Sequence, residues 1–312
     1  MLIYVDTPLR QAEKQTLLQG AGSADEVVFQ DELPDDTSRR DAITRATVIF
    51  GNPPPDWMKN ALAARWIQLY SAGFEYYQGI DLAAQVTNMQ DYYSQPCAET
   101  VVAGILALYR KMDEFAVLKE KKKWIGYPIR RNLRLLHGNN VLLLGNGNIA
   151  KRIARILSGF DTTCVYFSRS APGTLHTKDE LVQKIPWADI IIGCLPGTGA
   201  TRGLFTNEMI DLMKTSAIFC NVGRGNLVAD QAYLVDALTS RRIGGAVLDV
   251  TTPEPVPADS PLWDCPNTVL SQHSGGGQVA EYDGIVLLFL ENLALFREGR
   301  PLKNPIHFEK GY

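Results

Sequence analysis

The sequence predicts an α/β protein built from two doubly wound parallel-sheet domains. Short apolar runs alternate with stretches of helical periodicity, and several of the runs are continuously apolar. Continuous apolar runs are typical of strands that are buried on both faces of a parallel sheet, with helices covering each face. The chain has 312 residues, and this length favours two domains because a domain usually contains about 100–200 residues.

Ten apolar runs are predicted to be strands. In chain order they cover residues 2–5, 27–29, 48–50, 67–70, 141–144, 164–167, 190–194, 217–221, 246–248 and 268–271. Two long helical patterns, residues 94–123 and 278–297, flank the block formed by the last six runs. This order indicates that the chain leaves a first domain, builds a second and returns. We expect the first domain to contain residues 1–95 plus 280–312, and the inserted domain residues 96–279.

The composition excludes several classes of protein. Hydrophobic residues make up 46% of the chain and charged residues 21%, which argues against collagen-like, disordered and coiled-coil proteins. The net charge of −3 gives no electrostatic reason for binding nucleic acid or an anionic membrane. The longest apolar run, residues 285–290, is too short to cross a bilayer.

The cysteines predict free thiols in a reducing compartment. They are five in number, widely spaced, and form no C-x-x-C pair. The four histidines and the cysteines also lack the spacing of metal ligands. We therefore expect a cytoplasmic protein without a metal site.

A glycine motif for a dinucleotide follows the strand at 141–144. Residues 145–150 read Gly-Asn-Gly-Asn-Ile-Ala and open a helical pattern. In such a motif the first glycine, Gly145, permits a tight turn, and the second, Gly147, lets the backbone approach a pyrophosphate at the helix N-terminus. We expect Asn148 and Ile149 to contact the cofactor there. Ala150, in place of a third glycine, still allows close helix packing.

The next strand ends in a sequence that favours NADP. An acidic residue about 20 residues after the glycine motif usually binds the ribose 2′-hydroxyl of NAD. Ser168, Arg169 and Ser170 occupy this place, with Ser168 lying 21 residues after Gly147. An arginine pairs with a 2′-phosphate, and hydroxyl groups hydrogen-bond it. NADP(H) is the favoured cofactor, and a polar turn that accepts NAD(H) is the alternative.

Three further segments follow predicted strands, where open α/β sheets bind their ligands. They are residues 221–225 (Asn-Val-Gly-Arg-Gly), 248–255 (Leu-Asp-Val-Thr-Thr-Pro-Glu-Pro) and 270–276 (Leu-Ser-Gln-His-Ser-Gly-Gly). Together with the glycine motif, they resemble the D-isomer-specific 2-hydroxyacid dehydrogenases. The Ser-Arg-Ser sequence at 168–170 and the short chain resemble the glyoxylate/hydroxypyruvate reductase-like branch. The resemblance extends from the Ser-Ala-Gly-Phe loop at 71–74 to the ending Gly-Tyr at 311–312 and is closest from Asp249 to His273.

The resemblance implies a catalytic triad of Arg224, Glu254 and His273. Reduction of a 2-oxo acid requires a proton at the carbonyl oxygen as hydride reaches the carbon, and histidine exchanges protons near neutral pH. Glu254 would orient the imidazole and stabilise the imidazolium. Arg224 would bind the substrate carboxylate and polarise the carbonyl.

Other site residues are likewise implied by the resemblance. The backbone amides of Ala72, Gly73 and Phe74 would bind the substrate carboxylate, and Asp249 would contact the nicotinamide carboxamide. The remaining residues expected to line the cofactor are Cys194, Leu195, Pro196, Thr201, Val222, Gly223, His273 and Gly275. The family's fold implies a flavodoxin-like substrate domain and an inserted Rossmann domain, with the cofactor in a cleft between them.

One departure concerns the residues after Gly73. Phe74, Glu75, Tyr76 and Tyr77 are bulkier and more aromatic than the small or aliphatic residues usual in the family. An aromatic ring at 74 or 76 would either shape the substrate pocket, by narrowing it or lengthening its apolar wall, or pack into the core of the first domain. Both interpretations stay open at this point.

The sequence thus predicts an NADPH-dependent reductase of a small 2-oxo acid, with glyoxylate or hydroxypyruvate favoured. An NAD-dependent enzyme of the phosphoglycerate dehydrogenase type is the alternative within the same chemistry. A nucleotide-sensing, corepressor-like binding protein is an alternative of another class, although the chain has no basic patch. The resemblance also implies a homodimer formed through the nucleotide domain.

Overall fold

A computed structural model describes residues 1–169 and 171–308 of the chain. Its contacts divide the chain into two compact units. The first unit contains Met1–Tyr93 and the chain from Gln278 onward, and the second contains Ser94–Gly277. Each unit is built around its own parallel sheet.

Strands and helices alternate along most of the chain. The strands are β1 Leu2–Val5, β2 Glu26–Phe29, β3 Val48–Phe50, β4 Trp66–Gln68, β5 Gln85–Thr87, β6 Asn140–Leu144, β7 Thr163–Phe167, β8 Ile190–Gly193, β9 Ile218–Asn221, β10 Gly245–Leu248 and β11 Thr268–Leu270. The helices are α1 Gln11–Ala21, α2 Asp36–Arg45, α3 Pro55–Met58, α4 Ser94–Arg110, α5 Met112–Glu120, α6 Asn148–Leu157, α7 Lys178–Lys184, α8 Asn207–Asp211, α9 Gln231–Thr239 and α10 Glu281–Arg297.

The first unit has a five-stranded sheet in the order β2-β1-β3-β4-β5. All of its strand pairs are parallel. Helices α1 and α10 cover one face, where Phe289 stacks on Phe50 and Trp66 with ring centroids 4.2 and 5.1 Å apart. Ile43 of α2 and Met58 of α3 pack into the core on the other face. Burial on both faces explains why these strands are continuously apolar.

The second unit has a six-stranded parallel sheet in the order β11-β10-β9-β8-β6-β7. A single parallel bridge joins Phe167 of β7 to Leu175. Strand β6 lies between β7 and β8, so the direction of winding reverses there. Ligands of open α/β sheets bind at the carboxyl ends of the strands at such a reversal. Here these ends lead into residues 145–147 and 194–196.

Helix α4 lies directly against the sheet of the second unit. Gly104 faces Val247 of β10, and a Cβ at Gly104 would lie 2.5 Å from a methyl carbon of that valine. The missing side chain therefore sets how closely α4 approaches the strand. Helix α4 also packs on α6, which follows the glycine motif.

The two α/β domains of the predicted fold class are confirmed, but some predicted elements are wrong. The expected helix over 94–123 is broken at Lys111, whose φ of 59° separates α4 from α5. The side chain of Lys111 bonds Asn267 and Glu114, which holds this left-handed residue in place. Strand β5 was not predicted because Gln85 and Thr87 interrupt its short apolar pattern. Helix α10 begins at Glu281, three residues later than expected.

Within residues 1–169 and 171–308, no helix is long and apolar enough to span a membrane. The longest helices, α4 and α10, have 17 residues each.

Candidate functional site

The glycine motif forms a turn between β6 and α6 that leaves space for a ligand. Gly145 has a φ of +123°, which residues with a side chain rarely adopt. Gly147 is the N-cap of α6, and no side chain caps the helix. Nothing lies within 4 Å of the place where a Cβ of Gly147 would project. The first amides of this helix, including those of Asn148 and Ile149, therefore have the surroundings that fit a pyrophosphate.

The turn after β7 is held by hydrogen bonds around Ser168. Its N–H donates to the carbonyl of Leu175 at 2.9 Å, and its carbonyl lies 2.8 Å from Nδ1 of His176. Arg169 follows at the exposed part of this turn. Ser170, the third residue expected to contact the cofactor, lies outside the described residues. The turn thus presents an arginine, and no carboxylate, at the end of β7.

The segment after β8 lies beside the glycine motif. The N–H of Cys194 donates to the carbonyl of Leu144 at 2.9 Å. A Cβ at Gly145 would lie 3.2 Å from the carbonyl oxygen of Cys194, so the two loops are in close contact. Thr201 donates its hydroxyl to the carbonyl of Pro196 and thereby closes the turn that follows.

Arg224 is held by the close approach of its neighbours to other backbone segments. A Cβ at Gly223 would lie 2.4 Å from the carbonyl oxygen of Leu195, and one at Gly225 would lie 1.8 Å from that of Thr251. Val222, which precedes Gly223, is buried. The guanidinium of Arg224 donates to the carbonyl of Gly223 at 2.8 Å. The backbone on both sides of Arg224 is therefore fixed.

Glu254 and His273 form a hydrogen-bonded pair. Nδ1 of His273 lies 2.8 Å from Oε2 of Glu254, while Oε1 of Glu254 accepts the N–H of Thr251 at 2.7 Å. An ionised carboxylate only accepts hydrogen bonds, so Nδ1 of the imidazole is the donor. This arrangement leaves Nε2 of His273 as the nitrogen that can exchange a proton with a ligand. The imidazole side chain keeps 54% of its surface exposed.

Asp249 organises the loop that carries His273. Its Oδ1 accepts hydrogen bonds from the hydroxyl of Ser271 at 2.7 Å, and from the N–H groups of Gly275 at 2.9 Å and Ser274 at 3.1 Å. The carbonyl of Asp249 accepts the N–H of His273 at 2.6 Å. His273 itself has a φ of 53°, a strained value for a residue other than glycine. The bonds to Asp249 hold the loop in this conformation.

In the first unit, residues 71–74 follow β4 at the carboxyl edge of the sheet. Phe74 is buried and contacts Phe308 edge to face, with ring centroids 5.5 Å apart. Tyr77 is also buried and donates its hydroxyl to the carbonyl of Pro53. Tyr76 is 84% exposed. The question left open by the sequence is thus answered for Phe74, which belongs to the core.

A half-buried carboxyl group lies at the same edge. Asp6 follows β1 and lies against Gly51. A Cβ at Gly51 would lie 2.5 Å from the Cβ of Asp6. Burial raises the pKa of Asp6 to about 6, and its contacts with Tyr4 and Arg39 oppose the rise only in part. This carboxyl therefore changes charge over a mildly acidic range.

Of the cysteines near the second unit's loops, Cys97 and Cys220 are buried and Cys194 is half-buried. Burial raises the pKa of Cys97 to about 12, and it also raises the pKa values of Cys194 and Cys220. All five cysteines are free. Among the residues that the structure describes, no group of three or more potential ligands could hold a metal ion.

The comparison with known proteins decides the family. The model of the D-isomer specific 2-hydroxyacid dehydrogenase NAD-binding domain matches residues 102–275, which is more than half of the chain. The chain belongs to the D-isomer specific 2-hydroxyacid dehydrogenase family. It is an oxidoreductase with a dinucleotide-binding domain in its second unit.

Three relatives of this dehydrogenase illustrate the similarity. Hydroxyphenylpyruvate reductase of Plectranthus scutellarioides is 31% identical over 71% of this chain and 71% of its own length. Glyoxylate/hydroxypyruvate reductase A HPR2 of Arabidopsis thaliana is 30% identical over the same shares of both chains. The crystal structure of a D-isomer specific 2-hydroxyacid dehydrogenase family protein from Aeromonas salmonicida covers 98% of this chain and 99% of its own, with 26% identity and a TM-score of 0.84.

Sequence reasoning placed Asn221 only among the residues expected to line the cofactor, and the structure shows that it also bonds the turn around Arg224. This residue ends β9 and is almost fully buried. Its Nδ2 donates to the carbonyl of Arg224 at 2.9 Å, and its Oδ1 accepts the N–H of Gly223 at 3.2 Å. One amide side chain therefore closes the turn that presents Arg224. A polar residue at the end of an otherwise apolar strand was the available signal.

Replacing Gly225 by alanine should disrupt the Arg224 turn. The added Cβ would overlap the carbonyl oxygen of Thr251, so the backbone must move. We expect G225A to lower the free energy of unfolding by at least about 2 kcal/mol and to reduce kcat/KM at least tenfold. Thermal unfolding and steady-state kinetics measure the two effects. The matched control is Gly199→Ala, because nothing lies within 4 Å of a Cβ there; equal behaviour of the two variants would contradict the close approach.

Proposed function

We propose that this dehydrogenase reduces a small 2-oxo acid with NADPH, with glyoxylate and hydroxypyruvate as the favoured substrates. The observation that carries the proposal is the His273–Glu254 pair, in which Nδ1 and Oε2 are 2.8 Å apart. It supports a histidine that is oriented by a carboxylate and able to donate a proton from Nε2.

The proposed proton transfer runs from His273 to the substrate. Nε2 protonates the carbonyl oxygen of the 2-oxo acid, which becomes the hydroxyl of the 2-hydroxy acid. Glu254 stabilises the imidazolium before the transfer, because its carboxylate is held by the N–H of Thr251. In the opposite direction, the neutral imidazole accepts the proton of the hydroxyl group.

Residues of both units are proposed to bind the substrate carboxylate, and one of them also polarises the carbonyl. In the second unit, Arg224 supplies a guanidinium that suits a carboxylate and polarises the adjacent carbonyl. In the first unit, the backbone amides of Ala72, Gly73 and Phe74 are the proposed carboxylate donors. Backbone N–H groups that follow one another in a turn form a concave site for anions.

The proposed cofactor residues suit a dinucleotide, which when bound supplies the hydride. Gly145, Gly147 and the first amides of α6 would hold its pyrophosphate. Asp249 would accept a hydrogen bond from the carboxamide N–H of the nicotinamide. Its Oδ2 accepts no hydrogen bond from the described residues, while Oδ1 is engaged by the His273 loop.

The preference for NADPH is proposed from the Ser-Arg-Ser sequence at 168–170, which begins in the turn after β7. Arg169 follows β7 where a carboxylate would otherwise bind the ribose hydroxyls. A guanidinium attracts a 2′-phosphate, whereas a carboxylate would repel it. The hydrogen bonds of Ser168 to Leu175 and His176 support this interpretation, because they keep the turn in place around Arg169.

A homodimer formed through the second unit is also part of the proposal. The stretch 112–135 carries several exposed apolar side chains: Met112, Phe115, Val117, Trp124, Ile125, Tyr127 and Leu135. Trp124 is 94% exposed. Clusters of exposed apolar side chains are typical of protein–protein interfaces. We propose a second copy of this chain as their partner.

Turnover tests the proposed reaction. NADPH oxidation is followed by absorbance with glyoxylate, hydroxypyruvate, pyruvate, phenylpyruvate and 3-phosphohydroxypyruvate as substrates. We expect the fastest turnover with glyoxylate or hydroxypyruvate, and His273→Gln should lower kcat by about 10²–10⁴-fold with little change in NADPH affinity. The control His137→Gln replaces an exposed histidine of the same unit. Tight NADPH binding without turnover of any 2-oxo acid would favour the sensor alternative.

Charge reversal tests the cofactor preference. Arg169→Asp should weaken NADPH binding at least tenfold more than NADH binding, because the introduced carboxylate repels only the 2′-phosphate strongly. Arg155→Asp makes the same charge change on an exposed residue of α6 and serves as the control. Dissociation constants come from quenching of protein fluorescence. Equal losses for both cofactors in the Arg169 variant would refute the assignment.

The oligomeric state tests the proposed interface. Sedimentation equilibrium should show a dimer for the unmodified chain and a monomer for Trp124→Lys, since a buried unpaired lysine is costly. Leu62→Lys changes an 84% exposed leucine of the first unit and should stay dimeric. A Trp124 variant that remains fully dimeric would contradict the proposed contact.

A further inference from the structure

The backbone of residues 70–74 has an uneven pattern of hydrogen bonds. Every carbonyl oxygen from Tyr70 to Phe74 accepts a hydrogen bond from the first unit. In order, the donors are the hydroxyl of Tyr93, the N–H of Met89, Nδ2 of Asn88, the hydroxyl of Ser71 and the N–H of Tyr77. By contrast, the N–H groups of Ala72, Gly73 and Phe74 donate to nothing within residues 1–169 and 171–308.

The accepted bonds fix the direction of the free amides. In a trans peptide the carbonyl and the following N–H lie in one plane and point in opposite directions. The bond to the carbonyl of Gly73 therefore sets the direction of the Phe74 N–H. In the same way, the bond to the Ser71 carbonyl sets the direction of the Ala72 N–H. The bond to the Ala72 carbonyl sets the direction of the Gly73 N–H.

The hydroxyl of Ser71 makes the bond to Gly73, at 2.5 Å, and Asn52 controls that hydroxyl. The N–H of Tyr70 donates to Oδ1 of Asn52 at 3.0 Å. Because a backbone N–H can only donate, this bond fixes which end of the Asn52 amide is oxygen. Nδ2 of Asn52 then donates to the Ser71 oxygen at 2.8 Å, so the single proton of Ser71 is left for Gly73.

Asn52 is itself held in place. The N–H of Gly51 donates to the carbonyl of Gln68 at 2.9 Å, and the carbonyl of Pro53 accepts the hydroxyl of Tyr77 at 2.8 Å. Three prolines follow Asn52 in the sequence, and each restricts its own φ. The side chain thus projects from a backbone that is fixed on both sides.

We infer that Asn52 is a positioning residue that acts through Ser71 to direct the Phe74 amide toward the carboxylate of the substrate. This inference rests on the proposed function, because a carboxylate-containing 2-oxo acid is the ligand of the loop. Without Asn52, the Ser71 hydroxyl rotates to other acceptors and the Gly73–Phe74 peptide is no longer held. The loss weakens binding of the substrate carboxylate and leaves the second unit's cofactor loop unchanged.

A double-mutant cycle tests this chain of contacts. Asn52→Leu removes both hydrogen bonds at similar volume, and Ser71→Ala removes the bond to Gly73. We expect each variant to raise KM for the 2-oxo acid about tenfold, as for one lost hydrogen bond to a charged ligand, with kcat changed less than threefold. If Asn52 acts through Ser71, the double variant should resemble either single one. Multiplied effects, or a KM within twofold of the unmodified enzyme, would overturn the inference.

Matched controls separate positioning from damage to the fold. Ser71→Thr keeps the hydroxyl and should keep KM within about threefold, whereas Ser71→Ala should not. NADPH affinity and the melting temperature should stay close to those of the unmodified enzyme in all variants. If Asn52→Leu fails to fold, the two Ser71 variants decide: equal KM values for alanine and threonine would contradict the inference.

A readout without turnover separates this inference from the proposed function. Hydrogen exchange of the amides at 72–74 is measured in the NADPH-bound enzyme with and without oxalate, a dicarboxylate probe. Oxalate should slow exchange in the unmodified enzyme, and Asn52→Leu should abolish the protection at Phe74. Protection that survives the substitution overturns the inference alone. An unmodified enzyme with neither protection nor turnover overturns the proposed carboxylate site itself.

Discussion

The site in the second unit depends on how closely separate backbone segments approach one another at Gly223 and Gly225. At both positions a side chain would collide with a carbonyl oxygen of another loop. The contact brings the loops after β8, β9 and β10 together at one edge of the sheet. Arg224 lies between the two glycines, so the same contacts that join the loops also fix the guanidinium. Glu254 and His273 then extend from loops whose bases are already held.

In each unit one asparagine side chain forms two hydrogen bonds that hold a loop of the proposed site. Asn221 bonds an N–H and a carbonyl of the turn around Arg224, and Asn52 bonds an N–H and a hydroxyl of the loop at 70–74. A planar amide offers an acceptor and a donor at fixed separation, so one side chain satisfies two groups of opposite polarity. Each of these residues follows or ends a buried strand. In both places a rigid strand end sets the geometry of a loop that carries proposed ligand contacts.

The sequence predicted the central strands well because burial on two faces produces continuous apolar runs. It failed where a local interaction outside the pattern decides the structure. Lys111 breaks a predicted helix whose pattern continues on both sides. Its side chain bonds Asn267, which is distant in the sequence, and Glu114, which is polar, and an apolar pattern registers neither contact. Strand β5 is short and lies at the edge of its sheet, where one face carries polar residues. The family resemblance implied His273 and Glu254, but which imidazole nitrogen donates followed only from the geometry of the pair.

The single bridge between Phe167 and Leu175 has a consequence for how this enzyme can change. The bridge lies beyond β7, which is the edge strand of the sheet. The turn that carries Arg169 is therefore at the periphery of the second unit and not within its core. Insertions and exchanges in such a peripheral loop leave the buried packing intact. The proposed determinant of cofactor choice is therefore separable from folding in this architecture. Evolution or engineering can replace this turn while the residues after β10 and β11 that are proposed to transfer the proton stay unchanged.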